Sequence, residues 1–274
     1  MAVRRRRVRR TRKRLFLLRW PSVRRALKAF FAARLAIRLL VATAAVVLVW
    51  AAVNWMYQVV RKPTELFFPA DRALAKPPHE TWRRYGRLFV QHSTAVITPE
   101  LLAALAQIEG AGNPVARTYW RWTATWNPMH VYRPASTAVG MYQITNATFE
   151  DAKRYCIHDH VVVEVGRWND LRSCWFNDAY TRVVPSHAVE MTAALLDRRV
   201  AGIVEGRRID GATMGQKQDL AAVIHLCGAK TGEAYARRGF QLLAGQRCGD
   251  HDVGRYLATI NSLKRRFVTL AAAS

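Results

Sequence analysis

The sequence predicts a mostly α-helical domain behind a single transmembrane helix, and three observations carry that prediction. One uncharged apolar stretch near the N-terminus is long enough to cross a bilayer. Farther on, apolar residues recur at helical spacing between N-cap and glycine signals. Strand signals are few: "HVVVEV" (160–165) is the one good run, and it reads as helix or hairpin. A chain of 274 residues suits one domain with appendages.

Residues 1–38 read as a basic cytoplasmic arm. Fifteen Arg and Lys lie between Arg4 and Arg38, ahead of the first acidic residue, Glu65, so most of the net charge of +24 belongs to the arm. Such a run could bind nucleic acid. Beside an apolar span, setting topology and touching anionic lipid heads is the better reading, and no nucleic-acid partner is expected. Residues 39–60, "LLVATAAVVLVWAAVNWMYQVV", hold 22 positions without a charge. That length crosses a hydrocarbon core of roughly 30 Å. Trp50, Trp55 and Tyr57 sit toward its far end, where interfacial aromatics belong. No small-residue cleavage site follows before Arg61, so the segment reads as a retained signal anchor in an inner membrane. Basic flanks stay cytoplasmic, which sends the C-terminal bulk to the periplasm.

Residues 61–94 read as a linker and pre-domain segment because "RKPTELFFPADRALAKPPHE" carries four prolines. A globular domain is expected over 95–270. In "TPELLAALAQIEG", Thr98 is the N-cap, Pro99 takes the first position, and Leu101, Leu105 and Ile108 form a stripe that Gly110 ends. Further helices are predicted in "NATFEDAKRYC", "SHAVEMTAALLDRRVAGIV", "QDLAAVIHLCGAKTGEAYARRGF" and "VGRYLATINSLKRRFVTLAA".

The four cysteines lack any C-x-x-C spacing, which weakens zinc-ribbon and thioredoxin readings. Disulfides suit an oxidising compartment. Of three possible connectivities, the local pairs Cys156–Cys174 and Cys227–Cys248 are favoured; free buried thiols are the alternative. His158-Asp159-His160 has too little around it to make a metal site. No metal or cofactor is implied, and neither a phosphate loop nor a Gly-x-Ser-x-Gly elbow occurs.

Glu109 ends the apolar helix, and no other carboxylate follows until Glu150. Half-burial and the negative end of a helix both disfavour the charged form. That suits a group whose task is to donate a proton. The next segment, "TYWRWTATWNPMHVYRP", concentrates large aromatics that can form platforms for sugar rings. Trp120 and Trp122 are two apart, so an extended backbone puts them on one face with Arg121 on the other. In "STAVGMYQIT", Gly140 would let a ligand approach the backbone, Gln143 offers donor and acceptor, and Thr145 can cap the next helix.

Together these pieces resemble the soluble lytic transglycosylases, a family with a lysozyme-like (goose-type) fold. The family's Glu-Ser-x-x-Asn-Pro motif is matched by Glu109-Gly110-Ala111-Gly112-Asn113-Pro114. Its Ser-x-x-x-Gly-Leu-Met-Gln motif is matched by Ser136 through Gly140, Met141, Tyr142 and Gln143. The resemblance covers about residues 95–265. Gly110 replaces the usual Ser, and the third motif, Ala-Tyr-Asn-x-Gly, survives only as Ile224-His225-Leu226-Cys227-Gly228. Tyr256 looks like the family tyrosine that lines the cleft.

The resemblance implies a lyase that cuts the β-1,4 bond of peptidoglycan strands with one carboxylate, Glu109. The substrate's N-acetyl group assists and a 1,6-anhydro ring closes, so no second acid is needed, unlike ordinary two-carboxylate glycosidases. Ser136, Gly140, Met141, Tyr142, Gln143, Trp120, Trp122 and Tyr256 are then the candidate substrate contacts. An anchored enzyme of this kind would suit a secretion or conjugation complex. Two alternatives stay open, a catalytically silent peptidoglycan-binding module and a goose-type hydrolase.

Overall fold

The computed structural model describes residues 34–166, 170 and 173–273, with a few positions between 25 and 32. The basic arm lies almost wholly outside the described residues. The chain divides into two compact units, Met1–Trp55 and Met56–Ser274.

The first unit is built on helix α1, Leu35–Arg61, whose last turn belongs to the second unit. It is long and apolar enough to span a membrane, and among the described residues the 18-residue window that meets this test is not buried.

The second unit is mostly helical. A 3-10 segment, Pro63–Ala70, leads into a one-turn helix α2, Asp71–Leu74. Then come α3, Pro78–Gln91, and α4, Pro99–Gly110. Strands β1, Trp120–Trp122, and β2, Tyr132–Pro134, form an antiparallel hairpin. Helix α5, Asn146–Ala152, precedes a second hairpin of β3, Tyr155–His158, and β4, Val161–Glu164. Helices α6, Pro185–Gly206, α7, Met214–Cys227, and α8, Ala229–Arg237, follow. A short hairpin of β5, Arg247–Cys248, and β6, His251–Asp252, leads into α9, Val253–Ala272.

Helix α4 is the axis of the core. Leu101 through Ala106 are buried on every face, and α3 and α9 pack along it. Three alanines (103, 104 and 106) keep its diameter small, so neighbours approach closely. The start behaves as the sequence predicts: the Thr98 hydroxyl accepts from the Leu101 amide, with Pro99 at the first position. The end differs. Gly110 is still helical, and the left-handed residue is Ala111 at φ 47°. Gly110 is required for another reason: a Cβ there would lie 2.8 Å from the Met141 Cα.

Segment 61–94 is not a free linker. Trp82, Tyr85 and Phe89 are buried on one face of α3, with the Trp82 ring 5.8 Å from Phe267 of α9. Each such burial is worth about 1.5–3 kcal/mol. Pro63 and Pro78 occupy helix starts, where their missing N–H costs nothing. Glu65 is fully buried and meets Lys62 at 3.3 Å and Arg117 at 3.2 Å.

Two further expectations change. The helix expected over 146–156 stops at Ala152, because Tyr155 and Cys156 enter the β3–β4 hairpin. That hairpin resolves the ambiguity of "HVVVEV". The long helix expected from Gln218 breaks at Gly228, φ 82°, into α7 and α8. Both favoured disulfides form, Cys156–Cys174 and Cys227–Cys248.

Candidate active site

Glu109 closes the last turn of α4 and faces an open cleft of about 760 Å³. Its side chain is 17 % exposed. The Tyr256 hydroxyl, from α9, donates to its Oε1 at 2.6 Å. Nε2 of His225, from α7, lies 3.9 Å from the same oxygen. Among the described residues no hydrogen bond or ion pair reaches Oε2, which leaves that oxygen available to a ligand.

Burial pushes the Tyr256 phenol well above its ordinary value, and Glu109 pushes it the same way. The phenol therefore remains a proton donor. Burial lowers the His225 pKa, while Glu109 and a backbone hydrogen bond to Tyr142 oppose that shift. The net direction is downward, so His225 is a neutral imidazole beside the carboxyl group.

The opposite wall is set by the turn Val139–Ile144. Val139 bridges to both Arg117 and Ile144. Gln143 takes φ 47°, and its amide donates to the carbonyls of Ala116 at 3.1 Å and Gly140 at 2.9 Å. Gln143 and Ser136 both line the cleft. Gly140 has a structural reason to lack a Cβ, because the Arg182 carbonyl would lie 2.4 Å from it. Met141 and Tyr142 are fully buried, and the Tyr142 hydroxyl donates to the Leu102 carbonyl. They anchor the turn in the core rather than form a sugar wall. Tyr256 is 6 % exposed and backs the acid rather than lining the cleft.

The tryptophans are the largest correction. Trp120 and Trp122 do share one face of β1, where both rings meet Tyr132 at 5.1 and 4.6 Å. Neither tryptophan is among the residues that line the Glu109 cleft. Trp120 donates its indole N–H to the buried Glu65 at 2.7 Å, which fixes the strand's orientation. Trp122 is 68 % exposed outside the cleft. The cleft is lined instead by Tyr119 and Arg121, from the other side of the strand. Alternation forecasts two faces but not which one turns inward.

Three cleft residues escaped the sequence reading. His225 falls where the third motif was sought, yet nothing in its neighbours announced a partner. Asp250, in the β5–β6 turn, accepts from the Tyr119 hydroxyl at 3.2 Å and lines the cleft. The carboxylate-free run after Glu109 therefore does not make the cleft free of a second acid. Arg117 lines it too, held by Glu65. The Cys227–Cys248 disulfide also forms part of the wall, tying the end of α7 to the hairpin that carries Asp250. A smaller cavity of about 230 Å³ shares Gln143, Thr145 and His225 with the cleft and continues toward Thr192 and Arg199.

In the motif after the acid, Asn113 is 2 % exposed and ties down Asp71 through its carbonyl and carboxylate, at 3.2 and 2.9 Å. Its role is to fix the chain leaving α4. No protein-family model, curated protein or solved structure matches this chain. Among the described residues no group of three or more His, Cys, Asp or Glu could hold a metal ion. The arrangement supplies one carboxyl oxygen without a protein partner among the described residues, a phenol that holds the other, a neutral imidazole, and an open cleft of about 760 Å³ with polar and apolar lining.

Proposed function

We propose that this chain is a membrane-anchored peptidoglycan lytic transglycosylase, cleaving the MurNAc–GlcNAc β-1,4 bond with 1,6-anhydro-MurNAc formation. The observation that supports it most is Glu109 at the end of a buried helix, with Oε1 held by Tyr256 and its side chain lining an open cleft. Helix α1 would serve as the anchor, with the N-terminus cytoplasmic and residues beyond Lys62 periplasmic. The two disulfides are consistent with that compartment. Local opening of the wall for an envelope-spanning secretion or conjugation machine is the role we assign to it.

In this reading Glu109 gives its proton to the glycosidic oxygen as the C–O bond breaks. The substrate's N-acetyl oxygen bonds to the anomeric carbon. The sugar's own 6-hydroxyl then displaces it, and its proton returns to Glu109, so the enzyme ends as it began. Tyr256 keeps one carboxyl oxygen in place, which orients the other.

A goose-type hydrolase is favoured by one observation, Asp250 in the same cleft, which could activate a water. Mass spectrometry of digested sacculi separates the two. Anhydro-terminated muropeptides are expected; reducing ends alone would establish hydrolysis. Digestion by neither wild type nor high enzyme concentration, with retained sacculus binding, would leave only a binding module.

A further inference from the structure

A second pocket lies beside the cleft, of about 320 Å³, lined by Arg61, Lys62, Arg133, Arg182 and His130. Ala135 and Ser136 line both it and the Glu109 cleft. Among the described residues no carboxylate contributes to its wall; Gln58, Ser136, Thr137 and Asn146 supply its other polar groups. Glu65, which pairs with Lys62, divides its charge between Lys62 and Arg117. Glu150 acts on Arg182 only at a distance.

The guanidinium of Arg61 donates to the Tyr57 hydroxyl and meets the His130 ring. Arg182 donates to the carbonyls of Thr137 and Ile144, both at 2.9 Å. Bonds to neutral carbonyls orient a guanidinium but leave its charge uncompensated. Lys62 is nearly buried, at 8 % exposure, and donates to Thr118 and Ser136. Burial lowers its pKa, and Arg182 and Arg117 push the same way, against Glu65. Crowded cations in a built cavity are what an anion would relieve.

Position identifies the anion. Gln58, Arg61 and Lys62 belong to or follow the last turn of α1, within three residues of Val60, the last apolar position of the stretch. At 1.5 Å per residue that places them within about 3 Å of the end of the apolar segment, less than one helical turn. If α1 crosses the bilayer, the pocket opens at headgroup depth, where the commonest anion is a phosphodiester.

We propose that this pocket binds the phosphate of an anionic phospholipid headgroup and so holds the Glu109 unit close to the membrane surface. The inference rests on α1 as a membrane span, not on what Glu109 cleaves.

The test uses the full chain in phosphatidylcholine nanodiscs doped with a phosphatidylglycerol analogue carrying a diazirine beside its phosphate. Cross-links are mapped by peptide mass spectrometry. Labelling is expected on peptides containing residues 58–62 and 129–137, with about fivefold less in Arg133→Ala or Arg61→Ala and about 25-fold less in Arg133→Glu. The basic N-terminal arm should label equally in all of them, which serves as the internal control. Glu109→Gln should label like wild type, so a failed glycan reading leaves this result untouched. Equal labelling by a phosphatidylcholine analogue, or no change in the Arg133 and Arg61 variants, overturns the proposal. So does loss of labelling on adding millimolar inorganic phosphate, which would show a free-phosphate site. Displacement by a muropeptide would instead assign the pocket to the carboxylates of the wall peptide, and equally overturns it.

Discussion

Tyr256 and His225 meet Glu109, and substitutions around the acid should separate. Glu109→Gln keeps the shape and cannot donate a proton, so sacculus digestion should vanish while the melting temperature holds. Near-wild-type turnover by pure variant would end the proposed chemistry. Tyr256→Phe removes one hydrogen bond to the carboxyl group, at 2.6 Å in the structure. Hydrogen bonds to charged or titratable groups are worth about 1.5–3 kcal/mol, so turnover should fall about 10- to 100-fold. An unchanged kcat would show that the phenol does not position the acid. The two tryptophans should differ sharply. Trp120→Phe leaves the fully buried Glu65 without its indole partner and should cost about 1–3 kcal/mol in denaturant unfolding. Trp122→Ala, at an exposed ring stacked on Tyr132, should cost under about 1 kcal/mol and leave glycan affinity unchanged. A large affinity loss in Trp122→Ala would return that ring to the groove.

At the scale of elements, β1 carries the site on one face and its own packing on the other. Arg121→Ala should therefore raise KM for glycan strands with little melting shift, since Arg121 lines the cleft opposite the tryptophan face. A stability loss without a KM change would place Arg121 in the fold's support. The Cys227–Cys248 bond joins α7, which brings His225, to the hairpin that brings Asp250. Replacing both cysteines by serine should lower stability by roughly 3 kcal/mol, from the closed loop that is lost. Hydrogen exchange should rise across 246–252 ahead of the rest. Uniform exchange with an unchanged melting temperature would show that the hairpin holds itself.

Across the whole molecule, burial sets how stability responds to acid. His225 and His92 both have pKa values lowered by burial, from an ordinary 6.5, with Glu109 and Glu190 respectively opposing. An unfolded chain then binds protons that the folded one refuses. Stability is fully present above about pH 6.5 and falls as pH drops toward the lowered values. Denaturant unfolding of the full chain in detergent at pH 7.5 and 5.5 should show this loss, and His225→Asn should reduce it. An identical pH slope in the variant would rule His225 out as a contributor. Topology belongs to this scale too. A reporter fused after Ser274 should be active only if it works in the periplasm; cytoplasmic activity would reverse the orientation drawn from the basic flank.

Local chemistry made much of this legible in the sequence. The uncharged run from Leu39 to Val60, the Thr98–Pro99 start of α4, the acid at its end, and α9 over 253–272 all depend on neighbours within a few residues. The two disulfides followed from spacing and compartment. What only the tertiary structure decided depends on contacts between distant segments. The pairing of His225 and Tyr256 with Glu109 spans more than a hundred residues, and Asp250 reaches Tyr119 across a similar distance. The inward face of β1 was settled by Glu65, a buried carboxylate in a proline-rich segment that composition presents as a linker. Gly110 and Gly140 are glycines because other backbone, not a ligand, comes too close for a Cβ. Propensity and periodicity report what a residue can do with its neighbours in the chain. Which groups share a low-dielectric site is fixed by packing, and packing is a property of the folded molecule alone.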